Sequence, residues 1–592
     1  MTNVSLHLAT QRVMYWPKTG WSAVLLGLAI YALLWVLDIP YRKIYLPNNA
    51  DIPALADGLL LAPGARWEQW FTRGYSDFWL PYPEWPGSVT EFTRPAFQFV
   101  IYLAHFAFGR DWASYVVISY LAIAGVAAMA FYIARTVLKV RVGPSLLAAI
   151  LVVLSPPVLE VWLRGLAFSI DPLATILVVG AFLAVMDRRD FSCLVLLFLG
   201  LLMKENAVWA PAAAAITVML RPKLDEPVQA RVLSAAIMLL PIATWLGLRF
   251  AFFGGIGGTY VTAGYTPLAN FLHLLFHKLT HMHHLFVARY PHPIFVMTHP
   301  DLISKLRWVL RGVVIGTGLI IYALVFLWAL NILPKVVNRI RLAAHERSWP
   351  VADPPFLVGL WAAFAIAFHF ALALPDERYA TSLVVFAWPA LVAEVEARRK
   401  TIIWIGLAFC SVASLALAST WLAGKVVPRE WRVMNQALHQ VPSGTRQIYI
   451  LPGTRASLPV ASPRYVRLIL GLPAEIIRVV DIDWHCETSS GDVAAFDHSV
   501  TDGIVSLSVK LPACANFALL SAQFADNELA AGRLYRNKTL TYEFPEVTSI
   551  TSGSSGNHNL GRRLIVLVRP ETPARFIIEH GAPYGITWFD IP

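Results

Sequence analysis

Eleven long, largely apolar stretches set the terms on which this chain can fold. They cover residues 20–37, 112–134, 144–159, 171–186, 191–203, 206–220, 232–253, 309–333, 354–373, 379–395 and 401–423. A bilayer core about 30 Å thick is crossed by roughly 20 apolar residues in a helix. Backbone inside that core must satisfy its own hydrogen bonds, which favours helices over isolated strands. The expected fold class is therefore a polytopic α-helical membrane protein with about 11 transmembrane helices. Composition agrees: 14% of residues are charged, against about 25% in soluble domains. Mean hydropathy is +0.57.

The net charge of +11 does not point to nucleic acid, because the basic residues gather in short loops between apolar runs. Arg135, Lys139 and Arg141 share one loop, and Arg188 and Arg189 another. Arg221, Lys223 and Arg231 follow, then Lys335, Arg339, Arg341 and Arg347, then Arg398, Arg399 and Lys400. If the apolar segment 94–109 is interfacial or re-entrant and does not cross, all of these loops lie on the side of the N-terminus. The positive-inside rule marks that side as cytoplasmic. The first run then reads as a retained signal anchor, since no good small-residue cleavage site follows it.

This topology divides the chain into a cytoplasmic N-terminus (1–19), a transmembrane domain (20–423) with a long first outer loop (38–111), and an exported domain (424–592). The last part has soluble composition. Its β-like runs at 447–451, 476–482, 503–511 and 564–569 are separated by Pro, Gly, Ser and Asp turns. An α+β or mostly β domain facing the periplasm or exterior is expected. Cys193 and Cys410 fall in apolar runs as buried thiols. Cys486 and Cys514 could pair if their domain is exported.

Charges recur at three outer span ends: Glu160, Arg164 and Asp171; Lys204 and Glu205; Asp376, Glu377 and Arg378. Capping and snorkelling are the ordinary uses of such residues. Ionisable groups at membrane depth are nevertheless costly enough to suggest function. Arg and Lys suit a lipid phosphate, and a carboxylate can take a proton from an incoming hydroxyl. The first outer loop supplies further acids, among them Asp38, Asp51 and Asp77, interleaved with Trp67, Trp70, Trp79 and Trp85.

Seven of the 16 histidines lie between 273 and 299. His273, His277 and His281 share a helical face at i, i+4 spacing and are weak metal-ligand candidates. Their Leu, Phe and Met neighbours fit an amphipathic helix lying on the membrane better. The glycines at 254, 255, 257 and 258 lack a strand–helix phosphate context. No nucleophile elbow, Walker A loop or dinucleotide fingerprint is present.

Several of these features occur together in one family. Tyr75, Asp77, Phe78 and Trp79 precede Thr93, Arg94 and Pro95. Pro156 and Glu160 precede Asp171, Pro172 and Ala174. Lys204, Glu205 and Ala207 are followed by Pro211, and Glu377, Arg378 and Tyr379 come late. In order and spacing the set resembles the GT-C membrane glycosyltransferases, in particular the protein O-mannosyltransferase-like branch and its bacterial relatives. The resemblance covers residues 20–400. It implies a multi-pass enzyme of the bacterial cytoplasmic membrane whose site faces the periplasm or exterior. Such an enzyme moves a hexose or pentose, with inversion, from a polyprenyl-phosphate donor to a hydroxyl of a glycan, lipid or protein.

The resemblance further implies a catalytic base in the first outer loop. Asp51 matches best in position and Asp38 competes, because the family's tandem acid here reads Asn49, Ala50, Asp51. The family's His and Asn after the Arg-Pro helix are replaced by the segment 115–120. Lys204, Arg378 and Arg94 would hold the donor phosphate. Glu160, Asp171, Glu205, Glu377 and Asp77 would position sugar hydroxyls or fix the basic residues, with Glu205 orienting Lys204. No cofactor is required on this reading, and a divalent cation stays open. A transporter or flippase for a lipid-linked glycan and an inactive GT-C scaffold are the competing readings. Transporters tend to carry internal repeats, and none is visible here.

Overall fold

Each apolar run becomes helix in the computed structural model. The structure describes residues 16–39, 94–109, 112–221, 227–253, 282–288, 291, 300–345, 352–371, 380–398, 400–421, 437–438, 440–451, 475–478, 481–484, 495–510, 515–518, 534–537, 540–543, 563–579 and 586–591. They fall into two compact units, one helical up to Trp421 and one holding the residues from Ala437 on.

The helical unit begins with α1 (Trp16–Asp38), α2 (Pro95–Phe108) and α3 (Val116–Tyr132), the last continued by a π-helical turn. Next come α4 (Val142–Val153), α5 (Pro156–Arg164), α6 (Ile170–Met186), α7 (Asp190–Met203) and α8 (Ala210–Leu220). The unit is completed by α9 (Val228–Ile237), α10 (Leu240–Phe253), α11 (Pro300–His345), α12 (Pro354–Ala371), α13 (Thr381–Arg398) and α14 (Thr401–Thr420). Five of the helical segments, with α9 and α10 taken together, are long and apolar enough to cross a membrane; several others are apolar but shorter. This is a multi-pass membrane protein.

One run differs from the expectation. The run 144–159 is bent by 56° between α4 and α5. Pro156 and Pro157 open α5, and a proline can offer no N–H to continue the preceding helix. The segment 94–109 forms one helix, α2, opened by Pro95.

Burial sorts the helices. α3, α6 and α13 pack on one another and form the centre of the unit. Outer helices turn apolar residues outward, such as Leu25 and Leu28 of α1, Ile315 and Leu319 of α11, and Val412 and Leu415 of α14. Lipid replaces water as solvent for those faces, so the bundle coheres through packing and interhelical hydrogen bonds. An aromatic cluster joins Phe182, Trp209, Trp361 and Phe386, with the Phe182 and Trp361 rings 5.3 Å apart. The Trp361 indole N–H donates to Thr217 Oγ1 at 2.9 Å, and that of Trp388 to Ser155 Oγ at 2.9 Å. Ser155 lies in the bend, so this bond ties the α4–α5 break to α13.

Gly359 of α12 lies under the Trp328 ring of α11. A Cβ there would stand 2.1 Å from Trp328 Cζ2. Gly359→Ala is expected to force the ring outward and cost about 1–3 kcal/mol, as overpacking does. Thermal unfolding of the purified chain checks this, and a Trp328→Leu background should abolish the penalty.

The second unit is sheet-rich. A four-stranded sheet has the order β11 (Ile586–Ile591), β10 (Ala574–Glu579), β1 (Gln447–Leu451), β2 (Glu475–Arg478). In it β1 runs parallel to both neighbours, and β10 pairs antiparallel with β11. An antiparallel five-stranded sheet has the order β4 (Ala495–Thr501), β5 (Ile504–Lys510), β9 (Arg563–Val568), β8 (Leu540–Glu543), β7 (Leu534–Asn537). A short pair, β3 (Asp481–Trp484) with β6 (Ala515–Ala518), completes the unit.

Asp502 and Gly503 join β4 to β5 with φ of 51° and 73°, the positive-φ pair that a tight hairpin demands. Alternation then sets the register: Val505, Leu507 and Val509 lie opposite Val568, Val566 and Leu564, and all six are buried. The expected run 476–482 is two strands, β2 and β3, in different sheets. Cys193 and Cys410 are buried free thiols. Cys486 and Cys514 lie outside the described residues.

Candidate functional site

Lys204 ends α7 in an extended conformation, φ −157° and ψ 138°, with its N–H still bonded to the Gly200 carbonyl at 2.9 Å. A single 3-10 turn, Glu205–Ala207, follows, and Pro211 opens α8. The chain therefore turns a corner over three consecutive polar residues. Adjacent side chains on such a corner diverge, and these three reach different partners.

Lys204 Nζ lies 2.5 Å from Asp171 Oδ1, and Asn206 Nδ2 donates to the same oxygen at 2.9 Å. Glu205 turns to Arg94, which grips it with two bonds, Nη2 to Oε1 at 2.5 Å and Nε to Oε2 at 3.1 Å. The carboxylate on Lys204 is thus Asp171, 33 residues upstream, rather than the expected neighbour Glu205. The side chains of Lys204 and Asp171 are 1% and 0% exposed. Arg94 precedes Pro95 with φ −134° and ψ 62°, outside the helical region that a following proline disfavours, and is itself buried.

The topology places these groups at one end of a helix layer. α6 and α7 form a tight pair, α2 packs on α7, and α8 packs on α6. The opposite end of the layer carries a second ionic corner. Arg221, closing α8, grips Asp190 of α7 with bonds of 2.5 and 2.7 Å and donates to the Val185 carbonyl at 3.3 Å. The 14 residues of α7 separate the two corners by about 21 Å at the standard helical rise.

Of the other expected site residues, Asp38 is buried at the end of α1, which packs on α3. Glu160 is half-buried on α5, which packs against the turn leading to Asp171. Asp51, Asp77, Glu377, Arg378, His273, His277 and His281 lie outside the described residues, as does the Arg164 side chain. Among the described residues no three His, Cys, Asp or Glu are grouped to hold a metal. His283 Nδ1 lies 3.3 Å from the Tyr322 hydroxyl.

Arg249 is a residue the sequence reading passed over. It is 4% exposed, with its guanidinium 5.0 Å from the Trp245 ring centre. Arg231, Ala235, Met238, Trp245 and Arg249 form the inward stripe of α9 and α10. α9 packs on α8 and α10 on α7. The short connection after Arg221 starts α9 at that residue's end of the layer, so Arg249 returns to the end that carries Lys204. The i, i+4, i+3 spacing of that stripe was the available signal.

Fold and site together define a multi-pass membrane protein with a buried ionic corner at one end of its helices. Solved structures that resemble it include ArnT from Cupriavidus metallidurans in the apo state and bound to undecaprenyl phosphate. The apo structure is 13% identical, with a TM-score of 0.40, over 78% of this chain and 87% of that one. The lipid-bound structure is 14% identical, with a TM-score of 0.38, over 77% and 86%. No protein-family model matches the chain, and no curated protein matches it in sequence.

Proposed function

We propose that this protein is a GT-C-type membrane glycosyltransferase of the O-mannosyltransferase-like kind. It moves a hexose or pentose from a polyprenyl phosphate to a hydroxyl of a glycan, lipid or protein. The observation that carries this reading is the corner itself. Two cations, Lys204 and Arg94, lie buried in an apolar bundle, each held by its own carboxylate. Buried charge of this kind is costly in a membrane, and where it is kept it commonly marks a site of binding or transfer.

In the proposed step the acceptor oxygen attacks the anomeric carbon from the face opposite the phosphate. The carbon–oxygen bond to phosphate breaks as the new glycosidic bond forms, inverting the centre. The acceptor proton passes to a carboxylate of the first outer loop, Asp51 or else Asp38. Polyprenyl phosphate leaves with the bonding pair, and its growing negative charge is met by Lys204 and Arg94, with Arg378 and Arg249 as further cations. Asp171 and Glu205 fix the two cations before substrate arrives, so little reorganisation is needed in the transition state. Glu160, Asp77 and Glu377 position hydroxyls. On this reading the site faces the periplasm across the bacterial cytoplasmic membrane, and no metal is needed.

The test is transfer of radiolabelled sugar from synthetic polyprenyl-phosphate donors by the purified chain in nanodiscs, with and without EDTA. Wild type should transfer in both. Lys204→Ala should lose about 10²-fold or more, as loss of a charge-stabilising donor does. Asp51→Asn should lose about 10²–10⁴-fold, the usual share of a general base. If both variants keep full transfer, the site assignment is wrong. If wild type consumes no donor, a transporter or scaffold role replaces the enzyme.

A further inference from the structure

Gln98 lies on α2 one turn beyond Arg94, its N–H bonded to the Arg94 carbonyl at 2.9 Å. It is 2% exposed, and α2 turns it inward together with Phe97, Ile101 and Ala104. Its side-chain oxygen is closed off from solvent and meets no hydrogen-bond donor. A buried amide left unpaired is destabilising, so each instance asks for an explanation.

A second such atom belongs to the corner that Arg94 joins. Asp171 Oδ1 takes both Lys204 and Asn206, whereas Asp171 Oδ2 is buried with no partner. The two orphans sit on elements that flank α7, one on α2 and one at the head of α6. Arg94 and Glu205 tie the first element to the corner, and Asp171 and Lys204 tie the second.

Both orphans are acceptors, so whatever completes them must bring donors. A phosphate oxygen cannot, but the hydroxyls of a sugar ring can. We propose that Gln98 is a sugar-positioning residue of the donor site, accepting one ring hydroxyl while Asp171 Oδ2 accepts another. This rests on the glycosyltransferase reading above and extends it from the phosphate to the sugar. The unpaired atom of Gln98 is an acceptor, which a phosphate oxygen cannot satisfy.

The test compares Gln98→Leu with wild type, as full-length chains in nanodiscs. The probes are bare polyprenyl phosphate and polyprenyl phosphates carrying glucose, mannose, galactose or arabinose. Wild type should bind at least one sugar-bearing lipid more tightly than the bare one. Gln98→Leu should weaken that lipid roughly five- to tenfold, the value of one or two neutral hydrogen bonds, and leave bare-lipid affinity unchanged. Its melting temperature without ligand should rise, because an orphaned polar group has been removed.

Equal weakening of bare and sugar-bearing lipids would mean a packing role and overturns the proposal. So would a lowered melting temperature with sugar affinity intact, which would mark a water-bridged structural amide. Wild type that binds bare lipid but gains nothing from any sugar overturns it too, while leaving the phosphate reading standing. Wild type that binds no polyprenyl phosphate defeats both.

Discussion

Asp171→Ala will destabilise the helical unit by about 3–5 kcal/mol, the usual consequence of stripping one partner from a buried ion pair. Lys204 is 1% exposed and ends a helix whose corner is closed by the Glu205–Ala207 turn. Its ammonium group cannot swing to water without undoing that corner. The double variant Asp171→Ala, Lys204→Met removes both charges and should recover most of the loss, since a buried pair replaced by apolar groups is often neutral. Unfolding of the purified variants in nanodiscs measures this cycle. Additive losses in the double variant would show that the pair is not coupled. Donor-phosphate binding should be lost in both variants, which separates the role of the pair in binding from its effect on stability.

Trp361→Ala should cost about 3 kcal/mol, at the low end of the range for deleting a buried aromatic. In a soluble core part of that cost comes from the preference of the ring for an apolar phase over water. Within a membrane, lipid offers a similar phase, so only packing and the hydrogen bond remain. Trp361 nevertheless touches Phe182, Trp209 and Phe386 from three different segments and donates to Thr217. Trp361→Phe keeps most of the ring volume and isolates the Thr217 bond, which should account for about 1 kcal/mol. Thermal unfolding of both variants gives the two numbers. A Trp361→Ala loss no greater than that of Trp361→Phe would mean that the cluster contributes no packing energy.

The helices were legible because apolar length is a strong signal with few rivals. The break at Ser155 was less so. Pro156 and Pro157 stand in plain view, yet the run around them is apolar and reads as continuous. The sheet-rich unit shows the reverse pattern: β5 and β9 alternate cleanly and are readable, whereas β10 is a short run broken by Arg575, and one of its two partners, β1, lies far away in the chain. Lys204 and Glu205 stand out as a charged pair, and their adjacency suggests that they serve each other. Residues i and i+1 do not face one another on a helix or a tight turn, so each finds a distant partner instead. Asp171 and Arg94 could be named as participants from the sequence, but not assigned to Lys204 and Glu205. Arg249 looks like a snorkelling terminus until the inward stripe is drawn, and neutral Gln98 carries no flag at all.

The 14 residues of α7 have a consequence for the surrounding lipid. Phe191, Val195 and Leu199 form an outward stripe along this helix, yet its rise of about 21 Å falls well short of a hydrocarbon core about 30 Å thick. Such hydrophobic mismatch is relieved by local thinning of the bilayer. The headgroup layer is then drawn down toward Lys204, and on the proposed reading this shortens the path of a lipid phosphate into the corner. The same dimple favours membranes of shorter acyl chains, so the bilayer itself becomes part of how the site is reached.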